Sequence, residues 1–554
     1  MIVWWVSGAT LVGAQTLTER QQHPVDMRQL LPAFETPEAD KSGILPVIPL
    51  PKTPDTLGLL AGQRVYVNEY RITGNVVLSD EALMERVQPY VKREVSFAEL
   101  AQLRDELTRA YIAEGYVNSG AIIPPQTVDD GVVDVEIVEG RLAGIEYETD
   151  GRLRESYVRR RIQQGVADPL NVYQLEQLLQ WLKQNERIQS LEAALAPTDV
   201  RGASTLRLKL LEEKPVSVAL RVDNYASPSV GAEAIRLSVA HANLSGFGDK
   251  LEAGFDRSEG LWSALMRYQI ALTANDTMLD FHGSRSESEV IEEPFSVLDI
   301  QSESSAFGVT LSHPIIDTLR RTSRISVTGE VRRSDSFLLG EPFEFSEGAE
   351  EGVSKVTVVR IGLDWSQRSR RQVVAARTSL SLGMDALNST VHAGNVPDSQ
   401  FAMVLLQGQW ARRLRLWDAQ LSARGDMQLT NSSLLGLEQF AIGGNATVRG
   451  YRENTLVRDQ GWLLSVEGRV PVWRRRAARL DVGVFADAGR VWHKDRAIPE
   501  DRHRLFSVGI GIHYAMNAHV EFELDWAQPL DNIPSDLEHN LQDDGVHFRL
   551  SVVY

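Results

Sequence analysis

From Pro215 to Tyr554 apolar and polar side chains alternate with a period of two, and helical periodicity nearly vanishes. Successive side chains of a strand point to opposite faces, so this stretch must fold as sheet with one greasy and one polar face. VEFELDW puts Val520, Phe522, Leu524 and Trp526 on one face and Glu521, Glu523 and Asp525 on the other. VHFRLSVVY sets Val546, Phe548, Leu550, Val552 and Tyr554 against His547, Arg549 and Ser551. FSVGIGIHY sets Phe506, Val508, Ile510, Ile512 and Tyr514 against Ser507, Gly509, Gly511 and His513.

The alternative for such strands is a soluble β-sandwich. A sandwich rarely keeps so many charges and glycines on one face over this length. A transmembrane barrel has an apolar outer band, a polar lumen and strands of about 9–11 residues. Segments of about ten residues recur about sixteen times, an even number as bacterial barrels require. Trp417, Trp462, Trp473, Trp492, Trp526 and Tyr554 fall near segment ends, where interfacial aromatic girdles lie. The expected fold is a membrane β-barrel of about sixteen antiparallel strands over residues 215–554.

Two α+β units precede it. In residues 63–141, RVYVNEYRITG alternates as a strand and Gly74-Asn75 is a turn. Ser79 caps a helix over SDEALMERVQPYV. A second helix puts Phe97, Leu100, Leu103, Leu107 and Tyr111 on one face and stops at Gly115. YVNSGAIIPPQ and GVVDVEIVEG close the unit as strands. Residues 142–214 repeat the order β-α-α-β-β, which reads as an internal repeat.

The N-terminal IVWWVSGATLVGA ends in Val12-Gly13-Ala14, the pattern of a signal-peptide h-region and cleavage site, with the charged n-region missing. Residues 1–14 are therefore read as a truncated signal peptide. Residues 15–62 form a polar segment and a linker with prolines at 46, 49, 51 and 54.

Composition excludes several functions. A net charge of -17 opposes nucleic-acid binding, which needs clustered excess Lys and Arg. Cysteine is absent, so there are no disulfides or cysteine metal sites. No H-E-x-x-H, G-x-S-x-G or phosphate-binding glycine loop occurs, and no catalytic residue, metal or cofactor is expected. Glu521, Glu523 and Asp525 could imitate a carboxylate pair or a Ca²⁺ site, but solvated lumen charge explains them more simply.

The barrel half contains one long interruption, about residues 431–460, around GGNATVRGYREN (Gly443–Asn454). Loops of that length without their own secondary structure usually carry function or are disordered. In LDVGVFADAG the apolar Leu480, Val482 and Val484 face lipid, so Asp481, Gly483, Phe485 and Asp487 share the lumen face. Glu467 and Arg469 point inward by the same count.

VDVEIVEGRL, RVDNYASPSVGAEAIRLSVAHANLSGFGDKLEAGF, VRGY at 448–451, FADAGRVW at 485–492 and the terminal Tyr554 resemble the POTRA-domain outer-membrane transporters. In particular the chain is similar to the transporter (TpsB) half of two-partner secretion systems, the haemolysin and filamentous haemagglutinin secretion-activation family. The resemblance implies two POTRA domains at 63–141 and 142–214 in the periplasm and a barrel conducting a large unfolded exoprotein. It also implies a loop, 431–460, folded into the barrel. Within that loop Val448, Arg449, Gly450 and Tyr451 form the family motif, and Arg449 meets Asp487 of the Phe485, Asp487, Gly489 wall motif. Phe548 and Tyr554 belong to the signal that the barrel-assembly machinery reads. TLTERQQHPVDMRQLL is the candidate for a plug helix, interrupted at His23-Pro24. The implied partners are the exoprotein, outer-membrane lipid and the assembly machinery, with the transporter a monomer. A membrane-assembly factor of the same superfamily stands as the alternative function.

Overall fold

A computed structural model describes residues 64–554 apart from 129, 186, 495–502, 518, 532 and 534–536. The expected signal peptide, linker and plug helix lie outside the described residues. The chain divides at Pro215 into two compact units.

The first repeat runs β1 (Arg64–Val67), β2 (Glu69–Thr73), α1 (Asp80–Val87), β3 (Arg93–Ser96), α2 (Phe97–Ala113), β4 (Gly120–Ile122) and β5 (Val132–Val138). Both helix starts are built as their residues predict. Ser79 accepts from the Ala82 N–H, and Ser96 and Glu99 form a reciprocal capping box ahead of α2. Leu100, Leu103, Leu107 and Tyr111 of α2 pack on Tyr70, Val133, Val135 and Ile137 of the sheet. RVYVNEYRITG is two strands rather than one. Asn68 donates its backbone N–H to the Gly131 carbonyl and its side-chain amide to that of Asp130, which redirects the chain. β1 then pairs with β3, while β2 runs parallel to β5 in the sheet β2-β5-β4. Pro124 and Pro125 follow β4 closely, and proline cannot donate to a ladder.

The second repeat is β6 (Arg141–Thr149), α3 (Glu155–Gly165), α4 (Val172–Lys183), β7 (Ile188–Pro197) and β8 (Ala203–Glu212), with sheet order β6-β8-β7. Leu175, Leu179 and Leu182 of α4 and Leu206, Leu208 and Leu210 of β8 are buried.

The second unit is a closed barrel. Its strands are β9 (Val216–Asp223), β10 (Ala234–Ala242), β11 (Lys250–Arg257), β12 (Leu261–Ala271), β13 (Met278–Glu289), β14 (Ile300–Asp317) and β15 (Arg321–Leu338). A two-residue β16 (Glu341–Pro342) follows, then β17 (Val353–Arg368), β18 (Gln372–Met384), β19 (Ala402–Arg413) and β20 (Gln420–Thr430). After the short β21 (Phe440–Ile442) and β22 (Leu456–Arg458), the wall resumes with β23 (Gln460–Arg475), β24 (Ala478–Trp492), β25 (Arg504–Met516), β26 (Val520–Pro529) and β27 (Val546–Val553). Without β16, β21 and β22, sixteen antiparallel strands close the wall through a β27–β9 ladder. β14 and β15 have 18 residues each, well beyond the expected ten, because strands that cross the hydrocarbon can continue past it as a paired hairpin.

The alternation holds along most of the wall, with register shifts at Pro314/Ile316 and Pro471/Trp473. Leu237, Phe255, Met266, Phe307, Val484 and Ile510 are outward and exposed. Most inward positions are polar, with buried Val356, Val358, Met403, Leu463, Phe485 and Leu505 as apolar exceptions on the wall. The connections 318–320, 369–371 and 476–477 are short, whereas 385–401, 431–459 and 530–545, at the opposite end, are long. In outer-membrane barrels the short turns are periplasmic and the long loops extracellular.

Candidate functional site

Residues 431–459 do not extend away from the barrel. β21 and β22 pair as a small hairpin, and Phe440, Ala441, Ile442, Val448 and Tyr451 are buried. The loop thus carries its own secondary structure, which its glycines and asparagines conceal. Val448 packs with Ile442, Tyr451, Leu463, Val491 and Leu505. Gly450 has φ +88, and a Cβ on it would lie 2.9 Å from that of Ala527, so this motif position admits only glycine. At Gly489 a Cβ would lie 3.1 Å from both Ile442 and Val448 side chains, a close approach of loop to wall. Tyr451 Oη donates to the Phe506 carbonyl at 2.8 Å and accepts from the Asp531 N–H at 3.1 Å.

Arg449, between Val448 and Gly450, is 3 % exposed and aimed at the wall. Its Nε and Nη2 donate to the two Asp487 carboxylate oxygens at 2.8 and 3.0 Å, and its backbone N–H donates to Oδ2 at 3.1 Å. Nη1 reaches Glu467 at 3.2 Å and Asp525 at 3.4 Å, and Nη2 donates to Ser465 Oγ at 3.3 Å. Ser465 in turn donates to Asp487 Oδ1 at 2.6 Å. The guanidinium carbon sits 3.3 Å from the centroid of the Phe485 ring. A planar fork meeting a carboxylate through two parallel bonds while stacked on a ring suits arginine and not lysine.

Strand register brings the rest of the group together. Ser465 lies opposite Asp487, His513 opposite Glu523, and Asp525 opposite His547. Arg549 pairs with Glu523 at 2.7 Å, and Arg469 pairs with Glu467. Arg449, Arg469 and Arg549 therefore face Asp487, Glu467, Asp525 and Glu523. His513, Glu523 and Asp525 offer donor atoms within 4.8 Å of one another, as a metal site would. The three guanidinium groups supply three positive charges against the four carboxylates there. Glu521 shares this face but is exposed at the strand end and stays outside the group. Phe548 lies on the opposite face of β27, and Tyr554, 81 % exposed, exchanges backbone hydrogen bonds with Val218.

Two further attachments were not predicted. Glu438, buried near the start of the loop, takes Arg332 at 2.9 Å and Arg360 at 2.7 Å from the wall. Arg452 joins Glu292 and Asp543, each at 2.5 Å, from two other long loops. Inward parity at Glu330 and Arg332 was a usable signal for the first; no local signal exists for the second.

Residues 202–514 match the family described as haemolysin secretion/activation protein ShlB/FhaC/HecB. The chain belongs to that family. Residues 65–140 match the POTRA domain of ShlB type. Among relatives of this ShlB/FhaC/HecB member, the Heme/hemopexin transporter protein HuxB of Haemophilus influenzae is 21 % identical, covering 82 % of this chain and 81 % of the relative. The Hemolysin transporter protein ShlB of Serratia marcescens is 25 % identical over 67 % of this chain and 66 % of its own. The solved CdiB structure from Escherichia coli superposes with a TM-score of 0.69 at 20 % identity, covering 99 % of this chain and 100 % of the other. That likeness is one of fold. As a ShlB/FhaC/HecB protein the chain is an outer-membrane transporter of two-partner secretion, with its POTRA region in the periplasm.

Proposed function

We propose that the loop 431–460 is the gate of this transporter, held inside the lumen by Arg449 and displaced when an exoprotein passes. The observation that carries the reading is the burial of Arg449 against Asp487, Glu467 and Asp525 within a closed wall. A seated loop and an unfolded chain compete for the same lumen, so the seat must be strong enough to shut the barrel and weak enough to open. Two unit charges at about 4 Å attract by roughly 4 kcal/mol at an effective dielectric of 20, before desolvation is subtracted.

Residues 63–141 and 142–214 act as two POTRA domains that receive the exoprotein's N-terminal region. Each three-stranded sheet has outer strands, β2 and β4 or β6 and β7, to which an extended peptide can add through main-chain hydrogen bonds. The partner is a large secreted protein of the haemolysin, adhesin or filamentous haemagglutinin kind, and one barrel serves as one transporter in outer-membrane lipid after the assembly machinery has inserted it.

The test is secretion of the co-encoded exoprotein by Arg449→Ala, Asp487→Ala and the double variant at matched membrane levels. Both single changes impair secretion, and the double is little worse than Arg449→Ala alone, since Asp487→Ala removes a contact that Arg449→Ala has already removed. Full secretion by Arg449→Ala would put the gate elsewhere.

A further inference from the structure

The barrel closes where its first strand meets its last, and this seam is the shortest ladder between the sixteen wall strands. β9 and β27 pair over five residues, from Ala219 with Val553 to Asp223 with Arg549. Between β14 and β15 the ladder holds seventeen pairs. Beyond Asp223 the seam is continued by Asn224, whose backbone N–H donates to the Phe548 carbonyl at 3.3 Å and whose side chain adds two more bonds. Asn224, fully buried, donates from Nδ2 to the Val546 carbonyl at 2.9 Å and accepts on Oδ1 from the Phe548 N–H at 2.8 Å. Its amide thus does for β27 what one more peptide unit of β9 would do.

The carbonyl of Asn224 is used as well. Gln542 Nε2 donates to it at 2.7 Å and to the Ala226 carbonyl at 2.8 Å. Gln542 Oε1 accepts the Glu453 N–H at 2.9 Å, and Glu453 belongs to the in-folded loop. A second connection runs alongside. His547 of β27 accepts the Gly450 N–H on Nε2 at 3.2 Å, and its ring lies 6.4 Å from that of Tyr225. Asn224, Gln542 and His547 are all fully buried, so a bond lost there cannot be replaced by bulk water.

We propose that Asn224 and Gln542 are positioning residues that join the barrel seam and the in-folded loop into one state, so that unseating the loop loosens the seam and loosening the seam unseats the loop. This rests on the reading of the loop as a movable gate, and it assigns a role to the VDNY segment. Each amide spans two elements that no continuous backbone connects. Each can therefore transmit a displacement in either direction.

The experiment uses the full chain in the outer membrane. Because the sequence contains no cysteine, Thr447→Cys, a buried loop position, is the sole target of a membrane-impermeant maleimide added to whole cells. Gln542→Ala and Asn224→Ala are each expected to raise the labelling rate severalfold. In the reciprocal arm, folded barrels are heated in SDS. Arg449→Ala lowers the temperature at which the folded band converts, and adding Asn224→Ala lowers it no further. Unchanged labelling in Gln542→Ala, or a fully additive fall in conversion temperature, would overturn the coupling. Should Asn224→Ala fail to insert, Gln542→Ala carries the test, since Gln542 lies outside the ladder. Neither readout depends on secretion, so loss of the coupling and loss of the gate's secretory role give different results.

Discussion

In the first repeat the fully enclosed side chains include Val67, Leu83, Leu103 and Leu107, whereas inside the barrel they include Asp223, Asp487, Asp525 and His547. The two interiors answer to different solvents. Water surrounds the repeats, so apolar groups gain by leaving it, and the cohesion of that core has no direction. Lipid surrounds the barrel and accepts Val484 and Phe307 as readily as a core would, so the greasy side chains sit outside. What remains inside includes many charged and polar groups beside smaller apolar clusters, and buried polar groups hold together only through specific partners. The repeat core can therefore lose a methyl group and still close. The barrel interior depends on particular pairs, which makes it suited to a seat that is either occupied or vacated.

The largest break in that comparison is Arg449→Ala. Removing one partner of a buried ion pair costs about 3–5 kcal/mol, since the other charge stays uncompensated. Here three carboxylates, Asp487, Glu467 and Asp525, lose their common cation. Asp487→Ala is the milder change, because Arg449 keeps Glu467 and Asp525. Maleimide labelling of Thr447→Cys in the two backgrounds is the measurement, and faster labelling is expected in Arg449→Ala. Equal rates would mean that Asp487 alone holds the arginine.

That gradation was only partly legible in the sequence. Period-two counting assigns Glu467, Phe485, Asp487, Glu523 and Asp525 to the lumen, because which face a strand residue takes is a local property. Which inward residues meet is not local. Arg449 and Asp525 are brought together by barrel closure and by a loop that returns between them, and neither leaves a mark in VRGY or in VEFELDW. The Asp487 partner came from family resemblance; Glu467 and Asp525 as further partners of the same arginine did not. Arg452 with Glu292 and Asp543 lies deeper still, since three loops must converge before the pairs exist. The repeat helices were easier. A capping serine and a 3.6-residue stripe are contained within one segment, and Ser79 and the Leu100 to Tyr111 face follow from them.

The matching break in the water-surrounded core is Leu107→Ala. Leu107 is fully buried, and truncating a leucine in such a site costs about 2–5 kcal/mol through lost transfer energy and the cavity left behind. The damage should stay in the repeats. Limited proteolysis of the purified full chain is expected to cut residues 63–141 faster, while the heat-modifiable barrel band keeps its conversion temperature. A fall in that temperature would mean that the two interiors are not independent.

Lipid supplies the third contrast. Val484, midway along β24 and 62 % exposed, is the neighbour of the buried Phe485, yet both are apolar. Val484→Arg should cost about 2–4 kcal/mol near the membrane midplane and so lower the amount of folded barrel in the outer membrane. Val484→Ala should insert at close to wild-type levels, for an alanine still suits lipid. Insertion of the arginine variant without loss would place this face of β24 away from the hydrocarbon.

The smallest effect is expected where a charge pair has water on every side. Arg71 and Asp134 lie 3.1 Å apart on adjacent strands of the first repeat, with side chains 64 % and 49 % exposed. The distance is about that between Arg449 and its carboxylates, so separation cannot distinguish the two pairs; their surroundings can. Exposed pairs are worth about 0.2–1 kcal/mol and are screened by salt. Arg71→Ala should therefore leave the proteolysis of the repeats nearly unchanged, and the small difference should vanish as salt is raised. Labelling of Thr447→Cys in Arg449→Ala, which reports a pair enclosed by protein, should change far less with salt. If both respond alike, the lumen around Arg449 is as wet as the surface around Arg71, and the seat must owe its strength to the apolar contacts of Val448 and Tyr451 instead.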